Sequence, residues 1–259
     1  MITLLNGEEW QEADILKKME DDSFYYGHLG KNALSSSSLK KLLQSPKAYQ
    51  ASLRGSDNSQ ALRDGRLVHL AILEKEKLSD LIIINGTKAK KEFKDATAEY
   101  GEHLVYTESE MSNAYWIADA VEANSDATFL LNDCDYEIPG VDMIDGIAFR
   151  AKADAITKGR DTIIDLKTTS GGLEDFKWSA KKYNYGLQAA LYMSIFNVPN
   201  FIFLVVDKFT KDIGIFECSG EFLEKGHDDI QRGIDAYKKF FMVDNSEELI
   251  NNNVYRGIL

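Results

Sequence analysis

The run from Ile147 to Lys167 constrains the fold more than any other part of the chain. Side chains alternate across a strand, and Ile147 to Ile156 alternates, with Arg150, Lys152 and Asp154 on one side and Phe149, Ala151, Ala153 and Ala155 on the other. Thr162 to Lys167 repeats the pattern: Asp165 and Lys167 share one face, Ile164 and Leu166 the opposite, apolar one. Gly159-Arg160 between the runs suits a two-residue hairpin loop with glycine in the first central position. That loop sets Asp154 directly across from Asp165. A slip of one residue would send the two carboxylates to opposite faces, so the register decides whether they form a site.

Two facing carboxylates repel unless a cation lies between them. Magnesium suits the place, because it takes a few carboxylate oxygens and keeps several waters for phosphate and for an attacking nucleophile. A lysine beside it can orient or help deprotonate that water, or stabilise the charge that develops on phosphorus oxygens. This is the equipment of metal-dependent phosphodiester hydrolysis. An isolated D-L-K also describes an exposed ion pair of little energetic worth, and so short a motif recurs by chance. The rest of the chain has to decide between the two.

Composition narrows the classes. At 259 residues, 44% of them hydrophobic, the chain can fill a substantial core. A net charge of -12 argues against a broad electrostatic coat for nucleic acid. It leaves room for local basic patches, of which Lys177, Lys181 and Lys182 form one and Lys88, Lys90, Lys91 and Lys94 another. Each lysine alone is as well explained as the solvated face of a helix. Two distant cysteines, Cys134 and Cys218, exclude a disulfide framework and a four-cysteine zinc or iron-sulfur site. The first residues lack a basic region followed by a long apolar one, and no segment reaches membrane-spanning length, so a cytoplasmic protein without membrane contact is expected.

Along the chain, residues 1–34 read as an N-terminal arm or a contact for another subunit. Residues 35–131 read as mainly helical. One of Ser35 to Ser38 caps a helix ending near Ser45-Pro46, a second helix begins at Pro46, and a third runs from Ala61 to Glu74 with His69 on it. Thr107 and Glu110 form a capping box, and 88–131 is largely helical with a break near Gly101 to Thr107. Residues 132–259 carry the sheet: strands from about Tyr136 to Lys167, Phe201 to Val206 and Ile213 to Cys218, helices near Tyr185 to Phe196 and Phe222 to Phe241. With three prolines and no low-complexity tract, one α/β domain spanning 1–259 is expected.

The order S-P-x-x-Y, G-R-L-V-H, E-I-P, F-R-A-K-A-D, I-I-D-L-K-T-T and Y-G-L-Q-A-A-L-Y, from about Ser35 to Phe240, resembles the PD-(D/E)xK nucleases of the RecB and RecE type. It is most similar to the RecE-like exonucleases of phages and prophages, the exodeoxyribonuclease VIII type. The resemblance implies a restriction-endonuclease-like core, a mixed central sheet flanked by helices, with a helical N-terminal portion. It implies digestion of one strand of linear double-stranded DNA, 5′ to 3′, leaving 3′ overhangs for a single-strand annealing recombinase. Family members are ring-shaped homo-oligomers.

By the same resemblance, Asp154 and Asp165 match metal ligands, Lys167 the catalytic lysine and the Leu166 carbonyl a further ligand. His69 matches the histidine that reaches the metal from the helical portion. Imidazole is an unusual partner for magnesium, which makes manganese the alternative; read alone, a single helical histidine is more often a packed residue. Glu137 matches a supporting acidic position and is equally an exposed strand glutamate. Gln188 and Tyr192, four apart on one helical face, match a pair bordering the site and contacting DNA, although Tyr192 in A-A-L-Y-M-S-I-F also reads as core. Tyr185 and Gly186 match positioning residues. Two other classes stay open: a related endonuclease or CRISPR-associated-type nuclease without an iron-sulfur cluster, and a catalytically silent DNA-binding scaffold.

Overall fold

The expected strands assemble into one mixed sheet with helices on both faces, an α/β architecture. A computed structural model describes residues 1–55 and 59–254; residue 259, the expected domain limit, lies outside them. The N-terminal segment contains the short hairpin β1 (Ile2–Thr3) and β2 (Glu9–Trp10), helix α1 (Glu12–Lys18), a π-helical turn at Ser23–His28 and α2 (Leu29–Asn32). It is no detached arm. Ile15, Met19 and Leu29 are fully buried, packed with Val141 and Ala148 of the main sheet. Apolar residues one helical turn apart, Ile15 and Met19, give this segment a face that water would otherwise meet.

Helices α3 (Ser36–Gln44) and α4 (Pro46–Ser52) begin where serines can cap them: Ser35 accepts from the Ser38 N–H and Ser45 from the Ala48 N–H. Helix α5 (Gln60–Leu73) follows. Strands β3 (Ile82–Ile84) and β4 (Val105–Thr107), with α6 (Lys91–Tyr100) between them, form a separate parallel pair within the portion expected to be helical. Three consecutive isoleucines favour a strand, but their partner lies across a helix and leaves no local signal. The Thr107–Glu110 capping box opens α7 (Glu108–Ala123), which α8 (Ser125–Leu131) succeeds.

The main sheet has the order β5 (Cys134–Ile144), β6 (Ile147–Thr157), β7 (Thr162–Thr169), β8 (Asn200–Asp207), β9 (Ile213–Glu217). The first three strands run antiparallel. A crossover through α9 (Phe176–Lys182) and α10 (Tyr185–Phe196) makes β8 parallel to β7, and β9 turns back antiparallel. Helices α11 (Gly220–Phe241) and α12 (Ser246–Asn251) end the described chain. On one face, Ile164 and Leu166 meet Leu67, Val68 and Ala71 of α5 and Ile117 of α7. On the other, Ala153, Ile163 and Phe203 meet Ala189 of α10. β7 is therefore the central strand, covered on both sides.

Near its turn the hairpin has the register that the sequence implies, Ala155 pairing with Ile164 and Ile156 with Ile163, but the expected pairing of Asp154 with Asp165 does not form. Its turn differs from expectation. The Arg160 N–H donates to the Thr157 carbonyl at 2.8 Å, and Arg160, at φ 56°, takes the left-handed conformation assigned to Gly159. Thr157 compensates by latching the turn: its hydroxyl donates to Asp161 Oδ1 at 2.6 Å and accepts from the Thr162 N–H at 3.1 Å.

Beyond Ala155 the two strands part. Asp154 Oδ2 accepts the Leu166 N–H at 2.8 Å, a side chain standing where a strand carbonyl would be. The freed edge of β6 is taken by Leu34, whose N–H donates to the Ala148 carbonyl and whose carbonyl accepts from the Arg150 N–H, both at 2.8 Å. The pleat changes phase at the same point. Ala153 packs on the α10 side, whereas Ala155 packs on the α5 side. The expected common face of Phe149, Ala151, Ala153 and Ala155 thus ends at Ala153, and the neighbouring strand bends with it at Glu137, which has φ 50°. A non-glycine residue held there is strained.

Candidate active site

The fork between β6 and β7 collects the charged residues. Asp165 is 1% exposed, so both its oxygens need partners. Gln188 Nε2, from α10, donates to Oδ1 at 2.7 Å, and the Lys167 ammonium forms an ion pair with Oδ2. Burial raises the Asp165 carboxyl above its ordinary value, against the opposing pull of Lys167. Burial acts to lower the Lys167 ammonium, but Asp165 and then Asp154 outweigh it and hold its pKa above the usual lysine value. Lys167 is therefore a fixed positive charge at neutral pH.

A second group lies on the far side of Asp154. His69 Nε2 is 2.9 Å from the Leu166 carbonyl, and its Nδ1 is 3.7 Å from Asp154 Oδ2. A carbonyl only accepts, so Nε2 carries a proton, and Nδ1 is the ring atom turned toward the Asp154 carboxylate. Glu137 completes the arrangement: ligand atoms of His69, Glu137 and Asp154 lie within 4.8 Å of one another. Burial, and then the Asp154 charge, push the Glu137 carboxyl up to about 7. The two carboxylates facing one another repel, and a divalent cation removes the conflict. The donors fit manganese as well as magnesium, since imidazole suits transition metals better.

The structure thus brings together Asp154, Asp165, Lys167, His69, Glu137 and Gln188. It moves Glu137 from a supporting position into the three-residue cluster, and leaves Asp165 beside it on Gln188 and Lys167. The Leu166 carbonyl, expected as a free ligand, faces the His69 N–H instead, because α5 packs directly over β7. Tyr192 packs into the core beside the site, within the field of Asp165 and Asp154. Its ring packs edge-on against Phe196 and Phe201, and burial lifts its hydroxyl well above the usual tyrosine range. Lys177, Lys181 and Lys182 are exposed on α9, beside Trp178 and Tyr183. Lys88, by contrast, is tied to Glu110 at 2.7 Å.

One site residue gave no sequence signal. Lys40 of α3 lies 5.1 Å from the centroid of the Tyr185 ring, and Lys167 lies 5.3 Å from the same centroid. The S-S-S-L-K-K run reads as an ordinary amphipathic helix, and only packing reveals which lysine turns inward.

The family profile described as "PDDEXK-like domain of unknown function (DUF3799)" matches residues 35–248. The chain belongs to this family. No curated protein matches it. Among solved structures, a candidate exonuclease from Eubacterium rectale is similar at 17% identity and a TM-score of 0.62, covering 92% of this chain and 95% of its own. A phage-related exonuclease from Haemophilus somnus 129PT is 12% identical with a TM-score of 0.36, covering 81% and 95%. The PDDEXK-like assignment and the fold shared with the first of these place this protein in the PD-(D/E)xK nuclease superfamily. Among the described residues no helix is long and apolar enough to cross a membrane.

Proposed function

We propose that this PDDEXK-like protein is a divalent-metal-dependent exodeoxyribonuclease of the RecE-like type. It degrades one strand of linear double-stranded DNA, 5′ to 3′, and leaves a 3′ overhang for a single-strand annealing recombinase. The reading includes one domain over residues 1–259, a cytoplasmic setting, phage or prophage function and a ring-shaped homo-oligomer. The observation that carries it is the fork: the Asp154 carboxylate reaches across it to the Leu166 N–H, next to Asp165, with His69 and Glu137 gathered around Asp154 and Lys167 paired to Asp165.

His69, Glu137 and Asp154 would hold magnesium or manganese, with Asp165 as a further carboxylate. A bound ion there supplies positive charge to the scissile phosphate and acidifies a water. Lys167, kept charged by Asp165, stabilises negative charge on the phosphate oxygens and orients the nucleophile rather than taking its proton. Gln188 fixes the Asp165 carboxylate, and Tyr192 supports α10 from the core. The lysines of α9 meet backbone phosphates, contacts that carry little sequence information, so the substrate is selected by its ends.

The test compares linear duplex, labelled at either end, with covalently closed circles in magnesium, manganese or chelator. Linear DNA should be digested only with metal, its 5′ label released first, while circles persist. Circles cut at a similar rate would make the protein an endonuclease. Release of the 3′ label first would reverse the polarity.

A further inference from the structure

The fork is surrounded by an uneven distribution of charge. On the His69 side, Asp154 and Glu137 await a cation. In the middle, Asp165 and Lys167 neutralise each other. On the α3 side stands a surplus positive charge, Lys40, partly buried beside Tyr185. Among the described residues no carboxylate or carbonyl pairs with it; its neighbours are the Tyr185 ring and the fields of Lys167 and Asp165. Burial, and then the like charge of Lys167, lower its pKa to about 8.

Keeping an ammonium half out of water and beside another one is unfavourable unless something anionic joins them. The fold holds it there nonetheless. Leu34 is fixed to the freed edge of β6, which starts α3 at the fork, and Leu39 packs into the cluster that contains Leu187 and Leu191 of α10. Lys40, the next residue, is thereby set against the first residue of α10, Tyr185. The aromatic ring compensates the charge in part, as a cation over a π face does, and leaves the remaining donors of the ammonium for a ligand.

We propose that Lys40 is a phosphate-binding residue, its ammonium taking a backbone phosphate of the nucleic acid beside Lys167, on the side of the fork opposite the His69 cluster. The proposal rests on the nuclease reading and adds to it a named contact and its direction. The nucleic-acid backbone then runs from the metal side, past Lys167, over the edge of Tyr185 to α3. An alternative, purely structural role would have Lys40 only brace α3 against α10 through the ring.

The two roles separate in the full-length protein with Lys40→Met, which keeps the apolar stem, and Lys40→Arg, which keeps the charge. Binding of a short blunt duplex is measured by anisotropy in calcium across a salt series, alongside melting temperature and digestion in magnesium. If Lys40 holds a phosphate, Lys40→Met binds about tenfold more weakly, in line with a lost charged hydrogen bond. Its slope of log affinity against log salt becomes shallower by about 0.9. KM rises with it, and Lys40→Arg recovers most of both at an unchanged melting temperature. Wild-type affinity and slope in Lys40→Met would overturn the proposal while leaving the nuclease reading intact. So would equal loss in Met and Arg variants accompanied by a lower melting temperature. Wild-type protein that neither binds nor digests duplex DNA would remove the nuclease reading and this contact with it.

Discussion

Asp165 and Lys167 form the residue pair on which both fold and site depend. The carboxylate is fully buried and the lysine side chain is 19% exposed, so the carboxylate in particular is not held at low cost without its partner. Lys167→Met should abolish digestion, by about a thousandfold on the scale of losing one charge stabiliser, and it should also cost stability, because the Asp165 carboxylate loses its ion-pair partner. The double variant Asp165→Asn with Lys167→Met should regain part of that stability and none of the activity. Urea denaturation of the two single variants and the double one measures the coupling; strictly additive losses would show that the pair is not energetically linked. Glu137 gives a second residue-scale prediction. Its folded pKa of about 7 lies above the ordinary glutamate value of 4.5, so the metal-free fold binds this proton more tightly than the unfolded chain. Its contribution to stability is therefore complete below about pH 4.5 and is lost as the pH rises through about 7. A cation in the cluster replaces the proton. Added magnesium or manganese should raise the melting temperature more at pH 8 than at pH 6, and Glu137→Gln should flatten that difference. A melting-temperature gain independent of pH in the wild type would separate Glu137 from the metal.

At the scale of elements, the site is aimed by helices whose packing can be attacked from a distance. Gly186 of α10 and Gly226 of α11 meet backbone to backbone: a Cβ on Gly226 would overlap the Gly186 carbonyl, and one on Gly186 would come within 2.7 Å of the Phe222 carbonyl. Gly226→Ala should therefore cost about 1–3 kcal/mol, the usual penalty of overpacking, and should lower kcat by moving α10, which carries Gln188 to Asp165. Urea denaturation and turnover on linear duplex measure the two effects; full stability with an unmoved α10 would contradict the close contact. The same elements show what the sequence made legible. Alternation in β6 and β7, the register of their hairpin, and the caps at Ser35, Ser45 and Thr107 depend on neighbours in the chain, so they could be read directly. The β3–β4 pair, the burial of residues 1–34 and the change of pleat at Asp154 depend on partners distant in sequence. Leu34 beside β6 is the clearest case, since nothing near Phe149 says that another segment will take its free edge. Lys40 and the promotion of Glu137 from support to cluster member follow from those long-range contacts. The nearness of Asp154, Asp165 and Lys167 was legible because one short hairpin contains them all.

For the whole molecule, a net charge of -12 has to be reconciled with a polyanionic substrate. Most of the surface repels DNA, so productive approach depends on where the positive charge is concentrated. Helix α9 offers such a place. Lys177, Lys181 and Lys182 are exposed on it, Trp178 is 71% exposed, and Tyr183 just beyond is 52% exposed with its ring 6.0 Å from Tyr185. This path leads from solvent to the ring shared by Lys40 and Lys167. Lysines that each release one counterion contribute about 0.9 apiece to the salt dependence of binding. Replacing all three by glutamine should therefore weaken duplex binding and make its salt slope shallower by more than 2 if all three meet phosphate. The metal-induced rise in melting temperature should stay at its wild-type size, because the His69 cluster lies on the other side of the fork. Anisotropy across a salt series gives the slope, and thermal melting with and without manganese gives the control. An unchanged slope would mean that α9 is a solvated helix face and that DNA enters elsewhere; a lost metal response would mean that the substitutions disturb the fork itself.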